Sequence, residues 1–347
     1  MTLEFAGRTV VGDFVLAVKL SCTGGEPTVL IGANGSGKSS LLRTIAGLNF
    51  LADGSLELGE SIYDDTRVVL PPERRSVGMV FQNHRLFDHL SVADNIGFGL
   101  RSRGVKKSAR NATVGRLVDA FELSDLADRS PRTLSGGQRA RVALARAIAP
   151  NPEVLLLDEP FAAIDVESHG ELRKAISELI DPTAIVIFVT HDPVEARILA
   201  TQLVVLEKGK IVQSGSPAEV AASPTSSFAA ELLGTNLLAG TSDGTLVKLA
   251  SGATLISASP ANGQVHLTFP PTALTLHRTR PSGSARNVWE ADVTEIIDQG
   301  DRLRIVLGGP LDATAVITPG AEAELELRPG TSCWASLKAT EITVVTA

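Results

Sequence analysis

Between Gly32 and Ser39 the chain reads Gly-Ala-Asn-Gly-Ser-Gly-Lys-Ser, a run that fits the pattern GxxxxGK[ST]. Its glycines let the backbone wind tightly enough for successive N–H groups to point inward, and the helix expected next adds the positive end of its dipole. Such a cradle grips a polyphosphate. Lys38 is placed to reach the β- and γ-phosphates of a nucleotide, and the Ser39 hydroxyl to ligate Mg²⁺. Gly32, Asn34, Gly35, Ser36, Gly37 and Ser40 complete the loop. The context fits, because the apolar run Thr28 to Ile31 precedes it and a helical pattern, Lys38 to Leu48, follows.

A second run, Val154-Leu-Leu-Leu, leads into Asp158 and Glu159. An apolar stretch of that length reads as a buried strand, whose carboxyl end lies beside the phosphate loop in an open α/β sheet. Alternation along the strand sends the two carboxylates different ways. They therefore take different tasks: Asp158 the Mg²⁺ shell, Glu159 the polarisation of an attacking water.

Leu134-Ser135-Gly136-Gly137-Gln138, followed by Arg139 to Ile148, narrows the reading. A phosphate loop alone leaves kinases, GTPases and helicases open. With this segment the sequence resembles the ABC-transporter ATPases, and the resemblance spans residues 1–234. It implies a P-loop NTPase domain with a helical subdomain, ATP and Mg²⁺ as cofactors, and hydrolysis in a homodimer. In that family the segment Ser135 to Gln138 opens a helix that caps the γ-phosphate of ATP held by the opposite subunit, an anion at a helix N-terminus. By the same resemblance Gln82 contacts Mg²⁺ and the water, Asp165 crosses the dimer interface, and His191 joins Lys38 and Glu159 as a catalytic group on the γ-phosphate. Phe14 is the candidate for stacking on adenine. The sequence departs from the commonest pattern at Ala140, where Gln is frequent, and at Ala162, where Ser is usual.

The elements that must position these residues are legible as well. Through the first two thirds, β-branched runs alternate with helical patterns: Glu153 to Leu157 before Val166 to Ile180, and Ala184 to Val189 before Val194 to Ala200. That is an α/β signature. Gln202 to Gln213 reads as a hairpin turning at Lys208 and Gly209. After Gln82, Asn83 to Leu100 resembles the family's groove for a short helix of the membrane subunit, with Leu86, Phe87, Val92, Ile96 and Phe98 as anchors. Two permease subunits and, indirectly, an external binding protein are the implied partners.

The chain of 347 residues is long enough for two cores, and its formal net charge of −7 argues against nucleic acid as a partner. The short basic patch Arg101 to Arg110 reads as a solvated helix face. Cys22 and Cys333 lack metal or disulfide spacing and read as core residues of a reducing compartment. No apolar run approaches the length of a membrane span and no leader pattern opens the chain. A peripheral protein on the cytoplasmic face of the membrane is expected.

Near Gly234 the texture changes, and helical periodicity gives way to short strands between turn signals. The boundary is set there, with Pro217 to Gly234 mostly helical, an ABC ATPase domain over 1–234 and a small all-β, OB-like barrel over 235–347. The last third resembles the barrel appended to importers of oxyanions, sugars, iron and polyamines, and more narrowly its molybdate-binding form. Ser284, Arg286, Ser336 and Lys338 are the candidate donors to molybdate or tungstate, since a tetrahedral dianion wants a cation with hydroxyl donors. Whether Leu237 to Arg280 completes that barrel or forms a second one is left open by the sequence.

Overall fold

Three strands, Thr28–Ile31, Val154–Asp158 and Ile185–Val189, are apolar almost throughout, and nearly every residue in them is buried. Such strands are stable only at the middle of a sheet covered on both faces. The computed structural model, which describes residues 1–165 and 168–346, places them there. Among the described residues one sheet has the order Lys210–Gly215, Gln202–Glu207, Thr28–Ile31, Ile185–Val189, Val154–Asp158, Val77–Val80. Its pairs are parallel except the terminal hairpin. That hairpin turns at Lys208 and Gly209, both with positive φ (47° and 79°), as a tight turn between twisted strands requires.

A second, antiparallel sheet of Phe14–Thr23, Thr2–Val11, Leu51–Leu58 and Ser61–Asp64 shares its core with the first; Phe5, Leu16 and Leu56 pack in one cluster with Leu42, Ile187 and Leu206. The helix after the phosphate loop spans Lys38–Ile45, shorter than the pattern to Leu48. Its far end is closed by Arg75, which is 1% exposed. The guanidinium donates to the Thr44 and Ile45 carbonyls, each at 2.8 Å, and to Tyr63 O at 3.0 Å. A cation there also complements the negative end of the helix dipole.

Short helices Val92–Ile96 and Phe98–Ser102 and the longer Lys107–Ala120 form the helical subdomain between the strand Val77–Val80 and the helix Gly136–Ile148. Of the expected groove anchors, Val92 and Ile96 are fully buried and Leu86 is buried, so these three are core. Phe87 and Phe98 stay half-exposed and pack ring against ring at 4.5 Å. The helix expected from Val166 runs over His169–Leu179; Val166 and Glu167 lie outside the described residues.

The chain packs as two units, Met1–Pro217 and Ala218–Ala347. The division therefore precedes the expected one at Gly234, because the helices Pro217–Ala222 and Ser227–Leu233 are tied to the strands that follow them. Thr268 Oγ1 donates to Ala222 O at 3.0 Å, and Thr235 Oγ1 to Ala221 O at 3.1 Å. In this second unit the long hairpin Asn236–Leu249 and Thr254–Phe269 pairs with Thr343–Thr346. Five further strands follow the order Thr275–His277, Ser332–Leu337, Asn287–Asp298, Leu303–Gly308, Ala313–Ile317, all antiparallel. Val247, Leu267 and Phe269 share one apolar cluster with Trp289, Ile305 and Cys333, so Leu237 to Arg280 belongs to the same body. Among the described residues an α-helix, Pro319–Leu325, and two single 3-10 turns, Pro271–Ala273 and Ala339–Glu341, interrupt the strands.

Candidate active site

Leaving the sheet at Ile31, the backbone turns through the phosphate loop and enters the helix at Lys38. Gly37 is the helix N-cap with φ 111°, and a Cβ there would stand 3.0 Å from the Phe14 ring. Gly32 is equally constrained, since its Cβ would stand 2.1 Å from Leu206 O. Only glycine allows this winding. The Lys38 ammonium lies across the loop and donates to Gly32 O at 2.7 Å and Ala33 O at 3.0 Å. Burial pulls its pKa below the usual lysine value, while the Glu159 and Asp158 charges oppose that shift. Ser36 Oγ is buried and has no hydrogen-bond partner among the described residues. An orphaned hydroxyl at the base of a ring of amides is what a phosphate oxygen would satisfy.

A cavity of about 410 Å³ opens at this loop, lined by Phe14, Asn34, Gly35, Gly37, Lys38, Ser39, Ser40, Gln82 and Glu159, all expected from the sequence, together with Val11. Asp158 sits behind it, 4% exposed. Burial pushes its carboxyl above the ordinary range, and a hydrogen bond with Ser39 pulls it back. Ser39, Asp158 and the Gln82 carbonyl make an all-oxygen donor set, which suits a hard cation that keeps water and phosphate ligands.

Glu159 follows directly but does not continue the strand. Its φ is 50°, a left-handed conformation that costs a non-glycine residue, and its N–H donates to Val189 O at 3.0 Å. This twist, rather than strand alternation, separates the two carboxylates. Gln82 Nε2 donates to Glu159 Oε2 at 3.1 Å, and His191 Nδ1 stands 3.5 Å from Oε1. Three sequence-remote residues thus meet at the carboxyl ends of neighbouring strands.

The segment Ser135 to Gln138 is elsewhere. Ser135 Oγ accepts from Gln138 N at 3.3 Å and Gln138 Oε1 accepts from Ser135 N at 3.0 Å, a complete capping box on the helix Gly136–Ile148. Neither this segment nor Asp165 lines the phosphate-loop cavity. The capped end abuts Ala163 instead: a Cβ on Gly136 would stand 3.3 Å from Ala163 Cβ, and one on Gly137 3.2 Å from Ala163 O.

In the second unit Ser336 and Lys338 line a cavity of about 300 Å³ with Thr272, Thr275 and Ala285, and the Glu341 carboxylate lines it too. Ser336 Oγ lies 2.9 Å from His277 Nε2. Ser284 and Arg286 are not part of it; both are exposed, because the turn after Gly283 directs Ala285 inward and its two neighbours to solvent. Of the four expected donors the cavity therefore brings together Ser336 and Lys338, with Thr272 and Thr275, two hydroxyls that carried no distinguishing signal in the sequence.

Residues 15–162 match the model of the ABC transporter family, and residues 283–344 that of the TOBE domain. A molybdenum import ATP-binding protein of Mycobacterium tuberculosis is 37% identical, over 96% of this chain and 95% of its own. The chain belongs to the ABC transporter family. Its phosphate-loop site is that of an ATP-hydrolysing subunit. A sulfate/thiosulfate import ATP-binding protein of Mycolicibacterium paratuberculosis is 39% identical over 97% of this ABC ATPase and 88% of its own chain. Among solved structures, a dimeric ATP-binding cassette in a post-hydrolysis state, bound to ADP and phosphate, aligns with TM-score 0.55 and 25% identity, covering 62% of this chain and 98% of that one.

Proposed function

We propose that this ABC ATPase drives import of a tetrahedral oxyanion, molybdate or tungstate, as a homodimer on two permease subunits at the cytoplasmic membrane face, with an external binding protein delivering the cargo. One observation carries the reading: the likeness to the molybdenum import protein runs through both units, at 37% identity over 96% of the chain. No helix among the described residues is long and apolar enough to cross a membrane, in keeping with separate membrane subunits.

In this reading each ATP lies between the loop Gly32 to Ser40 of one subunit and Ser135 to Gln138 of the other, and Asp165 crosses between them. The separation of those segments within one chain supports it. Mg²⁺, held by Ser39, Gln82 and Asp158, would supply positive charge to the transferring phosphoryl group. Lys38 leaves its loop carbonyls for the β- and γ-phosphates and carries charge to the same oxygens. Glu159, fixed from both sides by Gln82 and His191, accepts a hydrogen bond from the attacking water and directs its lone pair in line. Phe14, packed on Gly37, offers its ring to adenine.

Sulfate is the second reading, favoured by the 39% identity to the sulfate/thiosulfate relative. Calorimetric titration of the full chain with molybdate, tungstate and sulfate separates them. The proposal expects the two larger dianions to bind and Lys338→Ala to weaken them about tenfold or more, the scale of one charge-assisted contact. Preference for sulfate transfers the assignment to the second reading, and no binding removes the Ser336–Lys338 cavity from cargo sensing.

A further inference from the structure

Behind the Glu159 cluster lies a line of buried polar groups that the ATP site does not use. Thr190, which directly precedes His191, is 4% exposed; its hydroxyl donates to Glu195 Oε2 at 2.5 Å and accepts from Asp192 N at 3.0 Å. The other Glu195 oxygen, Oε1, stands 3.3 Å from His169 Nδ1. Glu195 is 6% exposed and His169 9%. On its far side the imidazole reaches Ile164 O, 2.9 Å from Nε2. Ile164 is the residue before Asp165.

The proton positions follow from the acceptors. A carbonyl oxygen only accepts, so Nε2 carries hydrogen. Between Nδ1 and Oε1 there is then one proton, whether the pair is written as imidazolium with carboxylate or as imidazole with carboxylic acid. Burial raises the Glu195 carboxyl, while Thr190, His169 and Arg173 favour its charged form and Asp192 opposes it. The Phe161 ring, 5.3 Å from the imidazole, closes one side. In such a dry site each member lost leaves its neighbour's polar atom unpaired.

The line continues past Ile164. A Cβ on Gly137 would stand 3.2 Å from Ala163 O and 3.8 Å from Ile164 Cα, so the backbone held by His169 is the one against which the capped end of the helix Gly136–Ile148 rests. We propose that His169 and Glu195 are positioning residues for ATP turnover, fixing the loop of His191 and the loop of Asp165 in one register through Thr190 and Ile164. Neither touches nucleotide. The proposal rests on the reading of His191 and Asp165 as γ-phosphate and dimer contacts.

The test is steady-state ATP turnover of the full chain with His169→Ala, Glu195→Leu, Glu195→Gln and His191→Ala, each also assayed for ATP affinity and melting temperature. Removing a positioning group lowers kcat and spares binding. His169→Ala and Glu195→Leu are therefore expected to lose about tenfold in kcat while ATP affinity stays within about twofold. Their double variant should lose no more than the worse single, since both cut one line. Glu195→Gln restores most of the turnover, because its amide still accepts from Thr190 and donates to Nδ1. A role in stability alone would lower the melting temperature and leave kcat of the folded fraction unchanged, and additive losses would equally sink the proposal. If His169→Ala does not fold, Glu195→Leu against Glu195→Gln gives the same reading. Full turnover in His191→Ala would overturn the underlying assignment instead, whereas loss there with full turnover in His169→Ala overturns only the coupling.

Discussion

Gln82 and Glu159, 77 positions apart, meet through one hydrogen bond of 3.1 Å at the ends of adjacent parallel strands. The bond engages one carboxylate oxygen, and His191 at 3.5 Å faces the other. Glu159 therefore reaches its place through constraints at both oxygens and through a left-handed backbone that a strand end would not otherwise adopt. Retaining such strain points to a demand for that orientation.

Glu159→Gln keeps the size and removes the base. A positioned general base contributes roughly 10²- to 10⁴-fold, so turnover measured by phosphate release should fall by about that factor. ATP affinity, measured by nucleotide titration, should change little, because the proposed function gives the grip on the phosphates to Lys38 and the loop. Unchanged turnover would take Glu159 out of the role.

Arg75 tests the scaffold beneath the loop. Its replacement by Met removes the donors to Thr44, Ile45 and Tyr63 carbonyls in a buried site. Thr44 O and Tyr63 O keep their bonds from the Gly47 and Leu70 N–H groups, so the loss is chiefly that of hydrogen bonds from a charged donor, about 1.5–3 kcal/mol each less whatever relaxation recovers, and a total of about 3 kcal/mol is expected. For a unit of this size that lowers Tm by roughly 6–12 °C in a calorimetric melt. A shift of only a degree or two would mean that the helix end is secured by other contacts.

The sequence made the loop, the Val154 to Glu159 run and the Leu134 to Gln138 segment legible because each concentrates its chemistry in consecutive residues. Gln82, Asp165 and His191 were singled out only by resemblance, since a lone Gln, Asp or His has no local pattern. Arg75, Thr190, Glu195 and His169 gave no signal at all: their meaning is burial, and nothing in a charged or polar residue's neighbours announces that it will be covered. The lining of the second cavity was likewise hidden. Ser284 and Arg286 had suitable chemistry, but the turn at Gly283 points them outward, and a turn's direction is set by the sheet it joins.

Both thiols should be inert in the folded protein. Burial pushes Cys22 up to about 11 from an ordinary 9.0, and Cys333 is raised by the same cause. The reactive thiolate is thus withheld at pH 8, where an unfolded thiol is already partly ionised. A thiol-reactive dye at pH 8 is expected to label neither cysteine of the native chain and both after denaturation. Because the folded pKa lies above the unfolded one, this contribution to stability is complete below pH 9 and is lost as pH climbs toward 11. Rapid labelling of the native protein at pH 8 would show that the core opens around one of them.

Where the chain can be cut discriminates the boundary read from composition from the boundary set by packing. A chain ended at Gly234 retains the helices Pro217–Ala222 and Ser227–Leu233, whose Val220, Ala229, Ala230 and Leu233 are buried. Two hydrogen bonds to the first of them come from Thr235 and Thr268, which that truncation deletes. Uncovering a Val or Leu side chain costs roughly 1.5–3 kcal/mol, and several such residues would be uncovered together. A chain ended at Pro217 lacks these helices and keeps every residue of the phosphate-loop cavity. The shorter chain should therefore be monomeric by size exclusion and bind ATP, while the longer one associates and binds a dye for exposed apolar surface. The reverse order would return the boundary to Gly234 and mean that the two helices pack on the ATPase unit.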